Sequence, residues 1–161
     1  MKKSTLDVFI IGDGPAAATV ALILVRSGIS VTLIGLPYSN NILFGETLTP
    51  DIKTYLIQLG LWNDFLNDEH LQSSGNLSSW GEKNIRENNF IYHPNTYGWH
   101  IDRLKFNQMC INAAKREGAL YLNSKIETVN KNCDNAFNIK LRKSNNSKRD
   151  FTADFIVDAT G

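Results

Sequence analysis

The sequence has few of the features that mark secreted, metal-binding or nucleic-acid-binding proteins. It contains two cysteines, Cys110 and Cys133, and no CxxC pair, which argues against a disulfide framework and a cysteine-based zinc site. Its three histidines, His70, His93 and His100, form no HExxH or comparable pattern, so we predict no metal. With 17 basic and 16 acidic residues the net charge is +1, so nothing favours nucleic acid or an anionic membrane.

Long hydrophobic runs are also missing. The apolar residues 8–11 are separated from a second apolar stretch, residues 16–25, by a glycine- and proline-containing turn. Neither stretch has the uninterrupted centre of a signal peptide or the roughly 18 residues of a membrane-spanning helix. We therefore expect a cytoplasmic location. The length of 161 residues, 42% of them hydrophobic, suits one domain or the first part of a larger protein.

The amino-terminal segment predicts a strand, a tight turn, a helix and a second strand. Residues 8–11 suit a buried strand, residues 15–27 a helix that Gly28 ends, and residues 29–34 another strand. The turn fits the pattern G-x-G-x-x-G/A with Gly12, Asp13, Gly14, Pro15, Ala16 and Ala17.

Each small residue of this turn has a physical role in dinucleotide binding. Gly12 permits the tight turn, Gly14 lets the backbone approach a pyrophosphate, and Ala17 lets the helix pack closely on the strand. Pro15 suits the first helical turn, and the free N–H groups there favour an anion. The segment predicts a Rossmann-like βαβ core that binds a dinucleotide; the alternative is a glycine-rich turn with a structural role only.

One part of the dinucleotide pattern is missing. Such folds place an Asp or Glu about 20 residues after the first glycine, where it binds the ribose hydroxyls. No carboxylate occurs between Asp13 and Glu46, and no arginine follows the second strand to meet a 2′-phosphate. The ribose contact must come from elsewhere, or the affinity is reduced.

The rest of the chain departs from a simple nicotinamide-binding fold. Residues 45–50 predict a loop, and an apolar helical stretch follows and ends at residues 59–62. Three further segments have strand-like composition: residues 77–80, 90–93 and 97–101.

A second strong helix signal follows. Asp102 predicts the N-cap of a helix over residues 102–117, and Gly118 predicts its end. Its predicted apolar positions are Leu104, Phe106, Met109, Ile111, Ala113 and Ala114. The remaining predicted elements are a parallel strand at 119–122, a small β-meander at 126–129, 137–141 and 151–153, and a buried strand at 155–158.

Four motifs stand in the order seen in FAD-dependent monooxygenases. They are the glycine turn at 12–17, GETL at 45–48, WHIDRLKF at 99–106 and DATG at 158–161. The chain therefore resembles this superfamily, and more narrowly the branch with flavin-dependent tryptophan halogenases and geranylgeranyl reductases. LGLW at 59–62 and SWG at 79–81 also resemble flavoproteins that mature cysteine tryptophylquinone enzymes.

The resemblance implies FAD as the cofactor and assigns residues to it. Arg103 would reach the cofactor, although a surface arginine at a helix start is the alternative; Glu46 would lie beside the flavin, or else be a solvated loop carboxylate. The acid that binds ribose in the family would fall at Gly35, so we expect glutamate there to tighten FAD binding. The full set of implied cofactor residues is Gly12, Gly14, Pro15, Ala16, Ala17, Glu46, Thr47, Arg103, Thr160 and Gly161.

Other conspicuous residues have simpler interpretations. Trp62, Trp80 and Trp99 could line a flavin or indole pocket, but spaced aromatic residues more often belong to a core. His100 could act as an acid or base, yet the sequence offers it no partner. Asp158 is expected to be structural.

The resemblance implies an FAD-dependent oxidoreductase that oxygenates or halogenates an electron-rich aromatic substrate, either a small molecule or a tryptophan in a peptide. The family's later Gly-Asp motif and substrate-binding segments would lie beyond residue 161. We therefore expect an incomplete domain, inactive by itself, with a missing C-terminal half or a partner polypeptide. The alternatives are a non-catalytic nucleotide-binding remnant or scaffold and, less favoured, an NAD(P)-dependent reductase.

Overall fold

A computed structural model describes residues 7–35, 46–81, 84–142 and 147–161. The chain divides into two compact units: the first unit comprises Met1–Asn41 and Cys110–Gly161, and the second unit comprises Ile42–Met109. Among the described residues, no helix is both long enough and apolar enough to cross a membrane.

The elements, in chain order, are β1 (Asp7–Ile11), α1 (Pro15–Arg26), β2 (Ser30–Gly35), β3 (Glu46–Leu48), α2 (Ile52–Gln58), α3 (Trp62–Asn67), β4 (Leu71–Ser73), β5 (Gly75–Ser78), β6 (Arg86–Asn89), a 3-10 turn (Phe90–Tyr92), β7 (Gly98–Ile101), α4 (Arg103–Arg116), β8 (Leu120–Asn123), β9 (Lys125–Lys131), β10 (Phe137–Arg142), β11 (Lys148–Ala153) and β12 (Phe155–Asp158).

The first unit contains the predicted Rossmann-like α/β core. Its described strands form a parallel sheet in the order β12-β1-β2-β8. The central strand β1 buries Val8, Phe9 and Ile10, as its apolar run predicts. Helix α1 buries Ala17 and Ala18 completely, because small side chains allow the helix to pack closely.

The strand at residues 155–158 is less buried than we predicted. β12 pairs with β1 on one side only, at the end of the described sheet. Its first side chain, Phe155, is 55% exposed. Within the described residues this strand is therefore only partly buried.

The predicted β-meander is present and shares a core with the parallel sheet. β9, β10 and β11 pair antiparallel in the order β11-β10-β9. Ile139, Leu141 and Ala153 of the meander are buried in one cluster with Phe9 and Ile34 of the parallel sheet. This shared core attaches the meander to the fold of the first unit.

The second unit is built from short elements and an aromatic core. β3, β7 and β4 form an antiparallel sheet in the order β3-β7-β4, and β5 pairs with β6. Phe65 of α3 is at the centre of a group of five rings, here called the aromatic cluster: Trp62, Phe65, His70, Trp99 and Phe106. Trp99 is buried, as the core interpretation predicts, and Trp62 is half-buried in the same cluster, whereas Trp80 is 89% exposed.

Helix α4 begins and ends where its sequence predicts. The Asp102 carboxylate accepts hydrogen bonds from the backbone N–H groups of Leu104 (2.9 Å) and Lys105 (3.1 Å), which is N-cap geometry. Gly118 follows the helix with φ +110°. Of the predicted apolar positions only Leu104 is wrong, because its side chain is 54% exposed.

Three predictions in the second unit are wrong. Residues 46–48 form a strand instead of a loop, because they pair with β7; Gly45 lies outside the described residues. Residues 90–92 form a 3-10 turn instead of a strand, and the Asn89 side chain accepts a hydrogen bond from the Ile91 N–H at its start. Helix α3 was missed, because Trp62 begins this helix and does not end the preceding one.

Candidate functional site

The turn between β1 and α1 can be formed only with glycine at position 12. Gly12 has φ +121°, and a Cβ there would overlap the carbonyl oxygen of Ala159 and lie 2.7 Å from its carbonyl carbon. The Gly12 N–H donates to the Ile34 carbonyl at 2.9 Å, and the Ala159 N–H donates to the Ile11 carbonyl at 2.8 Å. The first turn of the fold is thereby fixed against the segment that follows β12.

Gly14 has the opposite environment. It is the N-cap of α1 in an extended conformation (φ −73°, ψ 175°), and a Cβ there would have no atom within 4 Å among the described residues, its chain neighbours aside. Among the described residues, no side chain caps the helix; its first turn contains no acidic residue, and Pro15 stands at the start. The first N–H groups of α1, with Ala16 exposed beside them, thus have room for an anion.

Thr160 and Gly161 follow β12 in the same unit. The Asp158 carboxylate accepts from the backbone N–H (3.1 Å) and the hydroxyl (2.9 Å) of Thr160. These hydrogen bonds hold the pKa of Asp158 below its usual value. Asp158 therefore has the structural role that was expected, and it orders the turn that reaches Gly161 at φ +91°.

Glu46, Thr47 and Arg103 come together in the second unit. Glu46 and Thr47 lie on β3 opposite Ile101 and His100 of β7, and Arg103 is the first residue of α4. The Arg103 guanidinium forms an ion pair with the Glu46 carboxylate, and its Nε donates to Asn107 Oδ1 at 2.9 Å. Glu46 therefore lies on a strand and not in a loop, and its exposed carboxylate is paired with Arg103.

His100 has a partner that the sequence did not reveal. Its Nδ1 lies 2.9 Å from the hydroxyl of Thr47, across the two paired strands. Both side chains are exposed. β3 has only three residues, too few for an alternating pattern that would predict such a cross-strand pair.

A buried histidine was also not distinguished by the sequence. His70 packs against Phe65 and Phe106, and its Nδ1 accepts a hydrogen bond from the Asp102 N–H at 3.3 Å. Burial lowers the pKa of His70, while the nearby Asp68 and Asp102 carboxylates oppose this shift. The ring supports the start of α4 by accepting the hydrogen bond from the Asp102 N–H.

The end of β2, where the sequence lacks the ribose acid, is occupied by two other side chains. A Cβ on Gly35 would overlap the hydroxyl of Tyr121 and lie 2.7 Å from Asp13 Oδ2. The Tyr121 hydroxyl donates to Asp13 Oδ2 at 3.4 Å. Sequence reasoning missed both residues, although an aspartate inside the glycine turn of a chain with no acid at the end of its second strand is a usable signal.

This geometry fits a dinucleotide: a turn fixed by Gly12, open space at Gly14 and an uncapped helix start. Comparison with known proteins agrees. The family model described as "FAD binding domain" matches residues 5–161. A flavin-dependent halogenase from Armillaria mellea is 24% identical over 164 residues, which cover 98% of this chain and 32% of the halogenase.

Solved structures show the same fold. The myxobacterial chondrochloren halogenase, an FAD-dependent enzyme, has a TM-score of 0.84 at 22% identity, covering 99% of this chain and 38% of that chain. A peptidyl tryptophan dihydroxylase essential for tryptophylquinone cofactor biogenesis has a TM-score of 0.73 at 20% identity, covering 98% and 33%. The chain thus spans about a third of the length of these proteins.

The match over residues 5–161 confirms the superfamily predicted from the four motifs, and with it the cofactor. The chain belongs to the FAD binding domain family, and it is similar in sequence to a flavin-dependent halogenase.

Proposed function

We propose that the chain is the FAD-binding part of an oxidoreductase of the halogenase and monooxygenase type that modifies an electron-rich aromatic substrate. The observation that carries this proposal is the glycine turn, where position 12 has no space for a Cβ and Gly14 leaves the start of α1 accessible. When bound, FAD would supply the redox chemistry with O2, and the protein would bind and orient it.

The residues of the first unit have distinct roles in this proposal. The N–H groups at the start of α1, beside Ala16 and Ala17, bind the pyrophosphate, because the positive end of the helix dipole points there. Pro15 lacks an N–H and sets the helical φ at its first position. Thr160 and Gly161 follow Ala159, whose backbone lies against the glycine turn because Gly12 has no Cβ.

The proposed substrate is an aromatic ring, with tryptophan as the leading candidate, either free or within a peptide. Support comes from the resemblance to halogenases and to a peptidyl tryptophan dihydroxylase. We propose that the substrate pocket is supplied by a further segment or by a separate partner polypeptide. The protein would then act in the cytoplasm on a small molecule or a partner chain.

Titration of the full chain with FAD tests the cofactor role. We expect saturable quenching of flavin fluorescence and no comparable binding of NADH or NADPH. The bound protein is then supplied with a flavin reductase, O2, a halide and either tryptophan or a tryptophan-containing peptide. Because the proposed substrate pocket is supplied by a further segment or partner polypeptide, the chain alone should bind FAD without forming product. A product that has gained an oxygen or a halogen once that segment or partner is present supports the oxidoreductase. FAD binding that yields no product even then supports the non-catalytic alternative. Preferential binding of NADPH would favour the reductase.

Arg103 can be tested separately from its ion pair with Glu46. We predict that Arg103→Ala lowers FAD affinity about tenfold, the loss expected for a charge-assisted hydrogen bond. Glu46→Gln, which breaks the same ion pair but leaves the arginine, should change the affinity by less than about threefold. The matched control is Arg26→Ala, which breaks an exposed ion pair with Glu117 at the far end of α1. Equal effects of Arg103→Ala and Glu46→Gln on unfolding, with FAD affinity unchanged, would assign Arg103 a structural role only.

A further inference from the structure

We propose that Asp13 binds the adenosine ribose of FAD, in place of the missing acid at the end of β2. Tyr121 is proposed as the residue that positions the Asp13 carboxylate. This inference rests on FAD binding by the chain and assigns one contact within it. It explains how a chain with glycine at position 35 can still provide a ribose acceptor.

The space at the end of β2 is occupied by side chains from elsewhere in the first unit. A dinucleotide fold that reads the ribose from this strand projects a carboxylate from its last residue. Here that residue is Gly35, and the volume that its Cβ would fill is taken by Tyr121 and Asp13. The carboxylate is therefore at the usual strand end, but it originates from the glycine turn.

The Asp13 carboxylate is held at the end of β2 by its neighbours in the chain and by Tyr121. Asp13 stands between Gly12, whose N–H is bonded to the Ile34 carbonyl, and Gly14, the N-cap of α1. Tyr121 lies on β8, opposite Leu33 of β2, and its hydroxyl donates to Asp13 Oδ2 at 3.4 Å. Both side chains are half-buried, which limits the positions that they can take.

The Asp13 carboxylate has the hydrogen-bonding capacity and the charge that suit an unphosphorylated ribose. An ionised carboxylate only accepts hydrogen bonds, and it can accept from both hydroxyls of a ribose through its two oxygens. The Tyr121 hydroxyl donates to one oxygen, Oδ2, and each oxygen has more than one acceptor position. The same charge repels a 2′-phosphate, so the site should favour FAD and ADP over nucleotides phosphorylated at that position.

The geometry also argues against the expectation that Gly35→Glu tightens FAD binding. A side chain at position 35 must displace the Tyr121 hydroxyl and the Asp13 carboxylate before it can offer its own. Both obstacles are the ends of side chains, so the fold can tolerate the change. Even Gly35→Ala, which supplies a Cβ and no acceptor, should therefore weaken ribose recognition.

The experiment compares ADP with 2′-deoxy-ADP and 3′-deoxy-ADP as competitors of FAD on the full chain. We expect the unmodified chain to prefer ADP over at least one deoxy analogue by about tenfold, as for a hydrogen bond to a charged group. In Asp13→Asn this preference should fall to within about twofold. Gly35→Ala should reduce it similarly and Tyr121→Phe by less. The matched control is Asp150→Asn, which removes an exposed carboxylate on β11 and should leave the preference unchanged.

The outcomes separate this inference from the function on which it depends. If the unmodified chain binds neither FAD nor ADP, both are overturned. If it binds FAD and prefers ADP, but Asp13→Asn keeps the full preference, only the role of Asp13 is overturned. A lower unfolding midpoint of Asp13→Asn with the ADP preference intact would likewise overturn it, because that result assigns the Asp13–Tyr121 contact to stability alone.

Discussion

Gly12→Ala is expected to destabilise the chain by roughly 2–6 kcal/mol, the sum of a strained φ and an overpacked contact. The alanine would have to adopt φ +121°, and its Cβ would overlap the backbone carbonyl of Ala159. Backbone cannot move aside as a side-chain end can, because both neighbouring segments are hydrogen-bonded into the parallel sheet. Urea unfolding followed by far-UV circular dichroism measures the effect.

Gly14→Ala is the matched control, in the same turn and with the same chemical change. Its φ of −73° suits alanine, and in the described part of the chain no atom beyond its own chain neighbours lies within 4 Å of the new Cβ. Stability should change by less than about 1 kcal/mol, because alanine restricts the unfolded chain but is a poorer N-cap residue than glycine. FAD affinity should nevertheless fall, since the methyl group occupies the space that we assign to the pyrophosphate. Equal unfolding midpoints for Gly12→Ala and Gly14→Ala would contradict the difference in packing between positions 12 and 14.

The amino-terminal βαβ segment was predictable because its signals are local. A short apolar run, two glycines at a fixed spacing and a helix ended by Gly28 all lie within about 30 consecutive residues, the length of one βαβ unit. Helix α4 was predictable for the same reason, since Asp102 and Gly118 mark its two ends.

The elements that were missed depend on partners far away in the sequence. Glu46–Leu48 is a strand only because it pairs with β7, more than 50 residues later. β6 consists entirely of exposed polar residues, so it has no hydrophobic pattern to detect. The run at residues 90–92 has a strand-like composition, but the Asn89 cap and the following Pro94 favour a turn.

In the candidate site, too, local features were predictable from the sequence and contacts between distant residues were not. The roles of Gly12 and Gly14 follow from their spacing, and the structure gives each a separate physical reason. The contact of Asp13 with Tyr121 joins residues 108 positions apart, so no local pattern contains it. The ion pair of Glu46 with Arg103 depends on the pairing of β3 with β7, which the sequence also did not reveal.

The second large effect is expected at Phe65, the centre of the aromatic cluster. Phe65 is fully buried and contacts four other rings, with centroid distances of 4.7 Å to His70 and 5.2 Å to Trp99. Phe65→Ala should cost about 3–5 kcal/mol, because the cavity forms among rings that cannot collapse into it. Urea unfolding followed by tryptophan fluorescence is a direct measurement, since Trp62 and Trp99 both pack against this ring.

The adjacent Leu66→Ala is the control, because Leu66 lies on the same helix but is 44% exposed. It should cost less than about 1 kcal/mol, as expected for a surface substitution. Because Trp99 lies on β7 and Phe106 one turn after Arg103, the loss of Phe65 should also loosen the ion pair of Arg103 with Glu46. If Phe65→Ala and Leu66→Ala were equally mild, the cluster would not be the core of the second unit, and packing around Phe65 could not be what positions Arg103.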